Sequence, residues 1–215
     1  SIPKMIVDEI SLKWAKKIIK KHVGLKKLIV VQIRNSMGIK NSEEFSIKIK
    51  GRKGSALRDS NLPEWQKFFE NLDNEKYRVI CVCTEDEIIP SWRDNDLVLF
   101  SKDLGADVLK DFALIQCSYI SLFPASGMFQ FGFFCGTPSI IFNMVVGYWM
   151  NKSDPIYQLN GVLQDYDQFI YQSDYQKIVW EKEKFKSINY HFNELVGKLN
   201  NNQYYNEYHN KINNN

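Results

Sequence analysis

The sequence predicts an α/β fold, a doubly wound and mostly parallel sheet with a long C-terminal helix. Three observations predict it. Short apolar runs rich in β-branched residues recur ("LIVVQI", "YRVICVC", "LVLF", "YISLF", "SIIF"). They lack the alternation of a half-exposed strand, as expected for strands covered on both faces. Segments of helical period separate them, and the alternation continues to Asn143, as in βα units feeding a parallel sheet.

Each element has its own signals. "MIVDEISLKWAKKIIKKHVG" predicts a leading amphipathic helix within residues 1–24, with Ile6, Ile10, Leu12, Trp14, Ile18 and Ile19 on its apolar side and Gly24 as C-cap. Leu28–Ile33 reads as the first strand. A long polar loop follows, Met37–Asp59, and loops of this length within compact domains usually carry function. "NLPEWQKFFENL" is a helix with Pro63 in its first turn. "YRVICVCT", "LVLF", "YISLF" and "PSIIFN" supply the second to fifth strands, and the helices "GADVLKDFALIQC" and "SGMFQFGFFCG" flank the fourth. Past Asn143 the pattern becomes irregular and aromatic-rich. Residues 172–199 then read as the C-terminal helix, with Ser173 as its N-cap. The Asn-rich residues 201–215 are expected to be disordered. Residues 1–200 thus predict a single Rossmann-like domain.

Composition narrows the function classes. The 215 residues are 44% hydrophobic and 25% charged, with a net charge of +3. That is an ordinary globular balance, without the dense basic face of a nucleic-acid binder. The lysines are scattered except in Lys16–Lys27 and Lys48–Lys53, and the first run predicts a solvated helix face. Cys81, Cys83, Cys117 and Cys135 form no CxxC pair and sit among apolar residues, so they read as reduced, buried thiols. His22, His191 and His209 have no metal-ligand spacing. No stretch is long and apolar enough for a membrane span, because Ser126, Gly127 and Gln130 interrupt the best one. No secretory signal opens the chain, and a cytoplasmic location is expected.

Ligands of open parallel sheets bind beyond the carboxyl ends of the strands. The first strand runs into Arg34, Asn35 and Ser36, the second into Thr84, Glu85 and Asp86, and the third into Ser101, Lys102 and Asp103. The fourth runs into Pro124-Ala125-Ser126-Gly127 and the fifth into Asn143. Ser126 and Gly127 would open a helix directly after a strand, where free backbone N–H groups and a partial positive charge suit a phosphate. Ser126 is equally an ordinary N-cap. Arg34 ends a buried strand, so its guanidinium needs either a carboxylate or an anionic ligand. Arg58 ends the long loop and is placed to reach the same rim. Asp111, inside a helix, reads as a structural contact. The aromatics Tyr148, Trp149, Tyr157, Tyr166, Phe169 and Tyr171 read as packing for the last helix, with a sugar-stacking platform as the sharper alternative.

The order "IRNS … LRDSNL … ASG … FCGTPSIIFN" resembles the C-terminal half of a group of bacterial glycosyltransferases with the GT-B fold. In that group a strand ends in His-x-Arg-Asp, and a variable loop leads to Arg-Asn-Ala-x-Ile at a helix start. A later strand runs into Ser-Gly, and Phe-Gly-x-Pro precedes a strand ending in Asn. Arg34, Arg58, Ser126-Gly127, Pro138 and Asn143 match in that order over roughly residues 6–145. Asn35 replaces the acidic residue, and Gln32 stands where the family often has His.

The resemblance implies a metal-independent transferase of bacterial cell-surface glycan synthesis. It would have no cofactor, a nucleotide-sugar as donor and a glycan or lipid-linked acceptor. Arg34, Arg58, Ser126 and Gly127 would hold the diphosphate, and Asn35, Asn61, Asp103 and Asn143 the base, ribose or sugar. Catalytic candidates are Asp59, Glu85 and Asp86, by position only. GT-B enzymes place the acceptor in a separate N-terminal half, whereas one helix precedes the first strand here. The chain is therefore expected to be a fragment, to use a partner subunit, or to bind without catalysing. A noncatalytic nucleotide- or sugar-binding or assembly module is the main alternative, and a nucleotide-sugar epimerase is the lesser one.

Overall fold

A computed structural model of the chain describes residues 5–35, 59–93, 98–144, 168–169 and 172–201. Arg58 with most of its loop, five of the six named aromatics (Tyr148, Trp149, Tyr157, Tyr166, Tyr171), His209 and the tail from residue 202 lie outside the described residues. The elements are α1 (Glu9–His22), β1 (Lys27–Gln32), α2 (Leu62–Asn71), β2 (Tyr77–Val82), α3 (Pro90–Arg93) and β3 (Val98–Phe100), then α4 (Val108–Cys117), β4 (Ile120–Pro124), α5 (Met128–Cys135), β5 (Ser139–Phe142), β6 (Gln176–Ile178) and α6 (Phe185–Asn200).

The strands form one sheet in the order β3-β2-β1-β4-β5-β6, and every neighbouring pair is parallel. The apolar runs explain this. Ile29 and Val31 enter one core with Trp65, Phe68, Phe69 and Phe192. Leu28 and Val30 enter the other with Ala15, Ile19, Leu114 and Phe131. A strand that feeds two cores has no polar positions to spare, hence its unbroken hydrophobicity.

The handedness of βαβ crossovers sets which helices cover which face. From β1 to β3 the chain moves one way, and α2 and α3 cover the first core through Trp65 and Trp92. From β3 it returns across the sheet to β4 and β5, so α4 and α5 cover the opposite face through Leu114 and Phe131. After β6, α6 rejoins α2, with the Phe192 ring edge-on to Phe68 at 5.3 Å. A third, smaller core joins β5 and β6 around Phe133, Ile141 and Ile178, where Phe169 stacks on Phe129. Phe169 is thus packing.

Three sequence expectations need correction. Ile6 and Ile10 are exposed, and the buried side of α1 is Ser11, Ala15 and Ile19. Small residues there let α1 lie close against α4, where Val7 N–H donates to Gln116 Oε1 at 3.1 Å. Gly24 does end α1, at φ +64° with its N–H on Ile19 O at 3.0 Å. The C-terminal helix starts at Phe185, not near Ser173. Gln176–Ile178 instead pair with β5, and the Gln176 amide donates to Phe133 O at 3.0 Å and Thr137 O at 3.2 Å. Pairing on β5 satisfies backbone and side chain together, which helix propensity cannot match. Third, α5 is capped by Gly127 rather than Ser126.

Asp111 is structural, as expected: Lys102 Nζ lies 2.5 Å from its Oδ2 and 3.1 Å from Ala106 O. All four cysteines are free, with three buried and Cys135 partly so. Burial pushes Cys83 up to about 12 and Cys117 to about 11. No described helix is long and apolar enough to cross a membrane.

Gly132 is where α5 touches β4. A Cβ there would lie 2.7 Å from Phe123 Cε2 and 3.2 Å from Ser139 Oγ. Phe123 is fully buried and cannot swing away. Gly132→Ala should therefore destabilise the protein by about 1–3 kcal/mol, read as a lower urea midpoint at unchanged m-value. An unchanged midpoint would show that α5 can lift off the sheet freely.

Candidate functional site

The strand order reverses between β1 and β4: after β1 the chain goes to β2, and after β4 it goes to β5 on the other side. The two exits diverge at the carboxyl edge, the place where sheets of this kind form their ligand crevice. On one side, Gln32 ends β1 and Arg34 follows two residues later. On the other, Ser126 and Gly127 lead from β4 into α5. Ser126 Oγ donates to Gln32 Oε1 across the divide and accepts from Met128 N–H at 3.3 Å. Both side chains are buried. Gln32, at the position where an imidazole was the comparison, is thus a neutral strut between two strand ends.

The β1 exit is tied to the start of α2. Ser60 N–H donates to Arg34 O at 2.8 Å, and Arg34 N–H donates to Ser60 Oγ at 3.2 Å. Arg34 Nε lies 3.6 Å from Asp59 Oδ1, with both side chains about one-fifth exposed. Asn143, buried at the end of β5, adopts φ +56°. Asn tolerates this left-handed conformation better than most residues, and its amide donates to Asp59 O at 3.4 Å. Arg34, Asp59, Asn61 and Asn143 are therefore gathered around one short segment, 59–61.

The other predicted residues are placed differently. Asn35 donates its N–H to Glu87 Oε1 at 3.2 Å. Glu85 and Asp86 are exposed in a 3-10 turn. Glu87, which sequence reasoning passed over, is the buried acid of this turn and takes the Thr84 N–H and hydroxyl, both at 3.1 Å. The signal was present, because Thr84-x-x-Glu87 is a capping box. Asp103 lies past the edge strand β3, forked to Arg93 at 2.8 and 3.0 Å. That is two strands from β1, about 10 Å. Among the described residues no cluster of three potential metal ligands occurs.

Glu183 was also missed. It precedes α6 and is 2% exposed. Its Oε2 accepts from Asn61 N–H at 2.6 Å, and its carbonyl accepts from the Asn61 amide at 3.2 Å. In return Glu64, in the first turn of α2, accepts from Phe185 N–H at 2.8 Å. Two helix starts thus cap each other with acids, as the N-terminal dipole favours. Burial pushes the Glu183 carboxyl up to about 7; the Asn61 N–H and the Trp65 indole oppose the rise, and the charge of Asp59 adds to it. Among the described residues its Oε1 has no well-aligned hydrogen-bond partner.

No family model matches the chain, and no curated protein matches it by sequence. Among solved structures it is similar to the E. coli ADP-heptose lps heptosyltransferase II, with a TM-score of 0.55 at 9% identity. The match takes in 91% of this chain. The chain spans 54% of that enzyme's length. What the two share is the Rossmann-like fold, with its parallel sheet and helices on both faces.

The Glu183 carboxyl gives a test. Its folded value of about 7 lies above the ordinary 4.5, so between them the folded protein keeps a proton that the unfolded chain has released. Stability should fall as pH rises from about 4.5 to about 7, by up to about 1.4 kcal/mol per pH unit. Urea midpoints of Glu183→Gln should vary less with pH than those of the parent chain. Identical pH profiles would mean that the carboxyl ionises normally.

Proposed function

We propose that this chain binds a nucleotide-diphosphate sugar at the β1/β4 crevice and forms the donor-binding half of a glycosyltransferase. The observation that carries the reading is that Arg34, after β1, and the Ser126–Gly127 entry to α5, after the neighbouring parallel strand β4, leave the same edge of the sheet at the switch point. A guanidinium and a helix N-terminus stabilise a leaving diphosphate without a metal, and such electrostatic stabilisation is usually the largest catalytic contribution. Ser126 and the Gly127 amide would take a phosphate oxygen, with Arg58 as a second cation. Asn61 and Asn143, gathered with Arg34 at segment 59–61, and Asn35, next to Arg34 in the chain, would contact ribose, base or sugar. The fold shared with an enzyme named for ADP-heptose, itself a nucleotide-diphosphate sugar, supports the same reading. The acceptor half would come from the rest of a longer chain or from a partner subunit.

One observation favours a second reading, a binding module without catalysis. Gln32 cannot take up a proton at the place where the resembling family often has His, and Glu85 and Asp86 are turned to solvent. Release of nucleoside diphosphate from a sugar nucleotide by the full-length protein with acceptor separates the two.

Calorimetry with UDP, GDP, ADP and their sugars tests the site itself. At least one should bind, and Arg34→Ala should weaken it roughly 10- to 100-fold, as loss of a charge-assisted hydrogen bond does. Absence of binding by all of them, or equal binding by the variant, refutes the proposal.

A further inference from the structure

We propose that the outer face of α1 docks on an anionic lipid bilayer. This does not depend on the nucleotide-sugar reading. Residues 5–27 hold seven lysines against Asp8 and Glu9, a net charge of +5, whereas the whole chain is +3. The other residues therefore sum to −2, and the net positive charge of the protein lies on α1, which holds five of these lysines, and the turn into β1 that follows it. Ser11, Ala15 and Ile19 bury the inner side of α1. Ile10, Lys13, Lys17, Lys20 and Lys21 recur at helical spacing on the opposite stripe, and all are exposed. Among the described residues, Lys13 alone of these lysines has an ion pair, to Glu9 at 2.8 Å. Lys16, Lys17, Lys20 and Lys21 have none among the described residues.

Apolar side chains border these lysines. Ile6 is 78% and Ile10 81% exposed at the N-terminal end of α1, with Met5 beside them, and Leu25 is fully exposed past the other end. A row of cations flanked by exposed apolar residues suits a surface that offers negative charge above a hydrocarbon layer. Nucleic acid would use the lysines and leave the isoleucines in water. A second copy of the chain would set two lysine rows against each other. Because the inner face of α1 is committed to the sheet and α4, the contact is shallow and reversible.

Vesicle sedimentation with the full chain tests this. Vesicles of phosphatidylcholine alone should not bind. Vesicles with about one-third phosphatidylglycerol should bind at low salt and release the protein at about 0.5 M salt. Lys17→Gln, Lys20→Gln and Lys21→Gln together should weaken binding roughly a hundredfold. Ile6→Ser with Ile10→Ser should weaken it roughly tenfold at constant charge. All five side chains are exposed, so circular dichroism should report unchanged folding. No binding to anionic vesicles, or undiminished binding by the lysine variant, overturns the proposal. Undiminished vesicle binding by the isoleucine variant also overturns it, and polyanion binding alone assigns the lysines to nucleic acid.

Discussion

The parallel pairing of β1 with β4 is the contact on which the rest of the carboxyl edge depends. Ile29, Val30 and Val31 sit beside Ile120, Ser121 and Leu122, and all six are fully buried. The five apolar side chains among them each stabilise by about 1.5–3 kcal/mol when removed from water, so the two strands are held together. Yet their continuations must part, because the connections run to opposite ends of the sheet. The crevice is the geometric remainder of that conflict. Gln32 and Ser126 close its floor with a side-chain hydrogen bond where the backbone ladder has ended.

Polar groups behind the crevice show how its wall is kept in place. The segment 59–61 has no strand or helix of its own to hold it. It is tied by Arg34 and Ser60 to β1, by Asn143 to β5, and by Asn61 to Glu183 ahead of α6. Burying the Glu183 carboxylate is costly. The free N–H groups that open α2 offset part of the cost, and the raised proton affinity of the group is what remains of it. A wall made this way is stiff where three elements meet and responds to protonation at one point.

Most of the architecture was legible because its signals are local. Strands buried on both faces must be continuously apolar, and five were readable on that ground. β6 was not, because Gln176–Ile178 lie in a segment with helical composition, and their strand state comes from the open edge of β5, a long-range partner. The site divides in the same way. Arg34, Ser126 and Asn143 could be placed from strand ends alone, whereas Asp59 and Asn61 were placed only by the loop end and helix start that the resemblance matched. Glu183 could not be placed, since it lies more than a hundred positions from Asn61. Glu87 was within reach through the spacing Thr84-x-x-Glu87, although its acidic neighbours Glu85 and Asp86 stand closer to the strand end and stay exposed. On α1, hydrophobicity placed Leu12, Trp14, Ile18 and Ile19 against the core but misplaced Ile6 and Ile10, because small Ser11 and Ala15 make the close contact and those two isoleucines stay outside.

The buried thiols have a practical consequence. With Cys83 near 12 and Cys117 near 11, and Cys81 and Cys135 raised by the same desolvation, almost none of the sulfur is thiolate at neutral pH. Thiolate is the form that alkylating reagents and oxidants attack. The folded protein is therefore chemically quiet at sulfur. One cysteine introduced on its surface would be the sole site that a maleimide dye or spin label modifies quickly, with all four native thiols left in place.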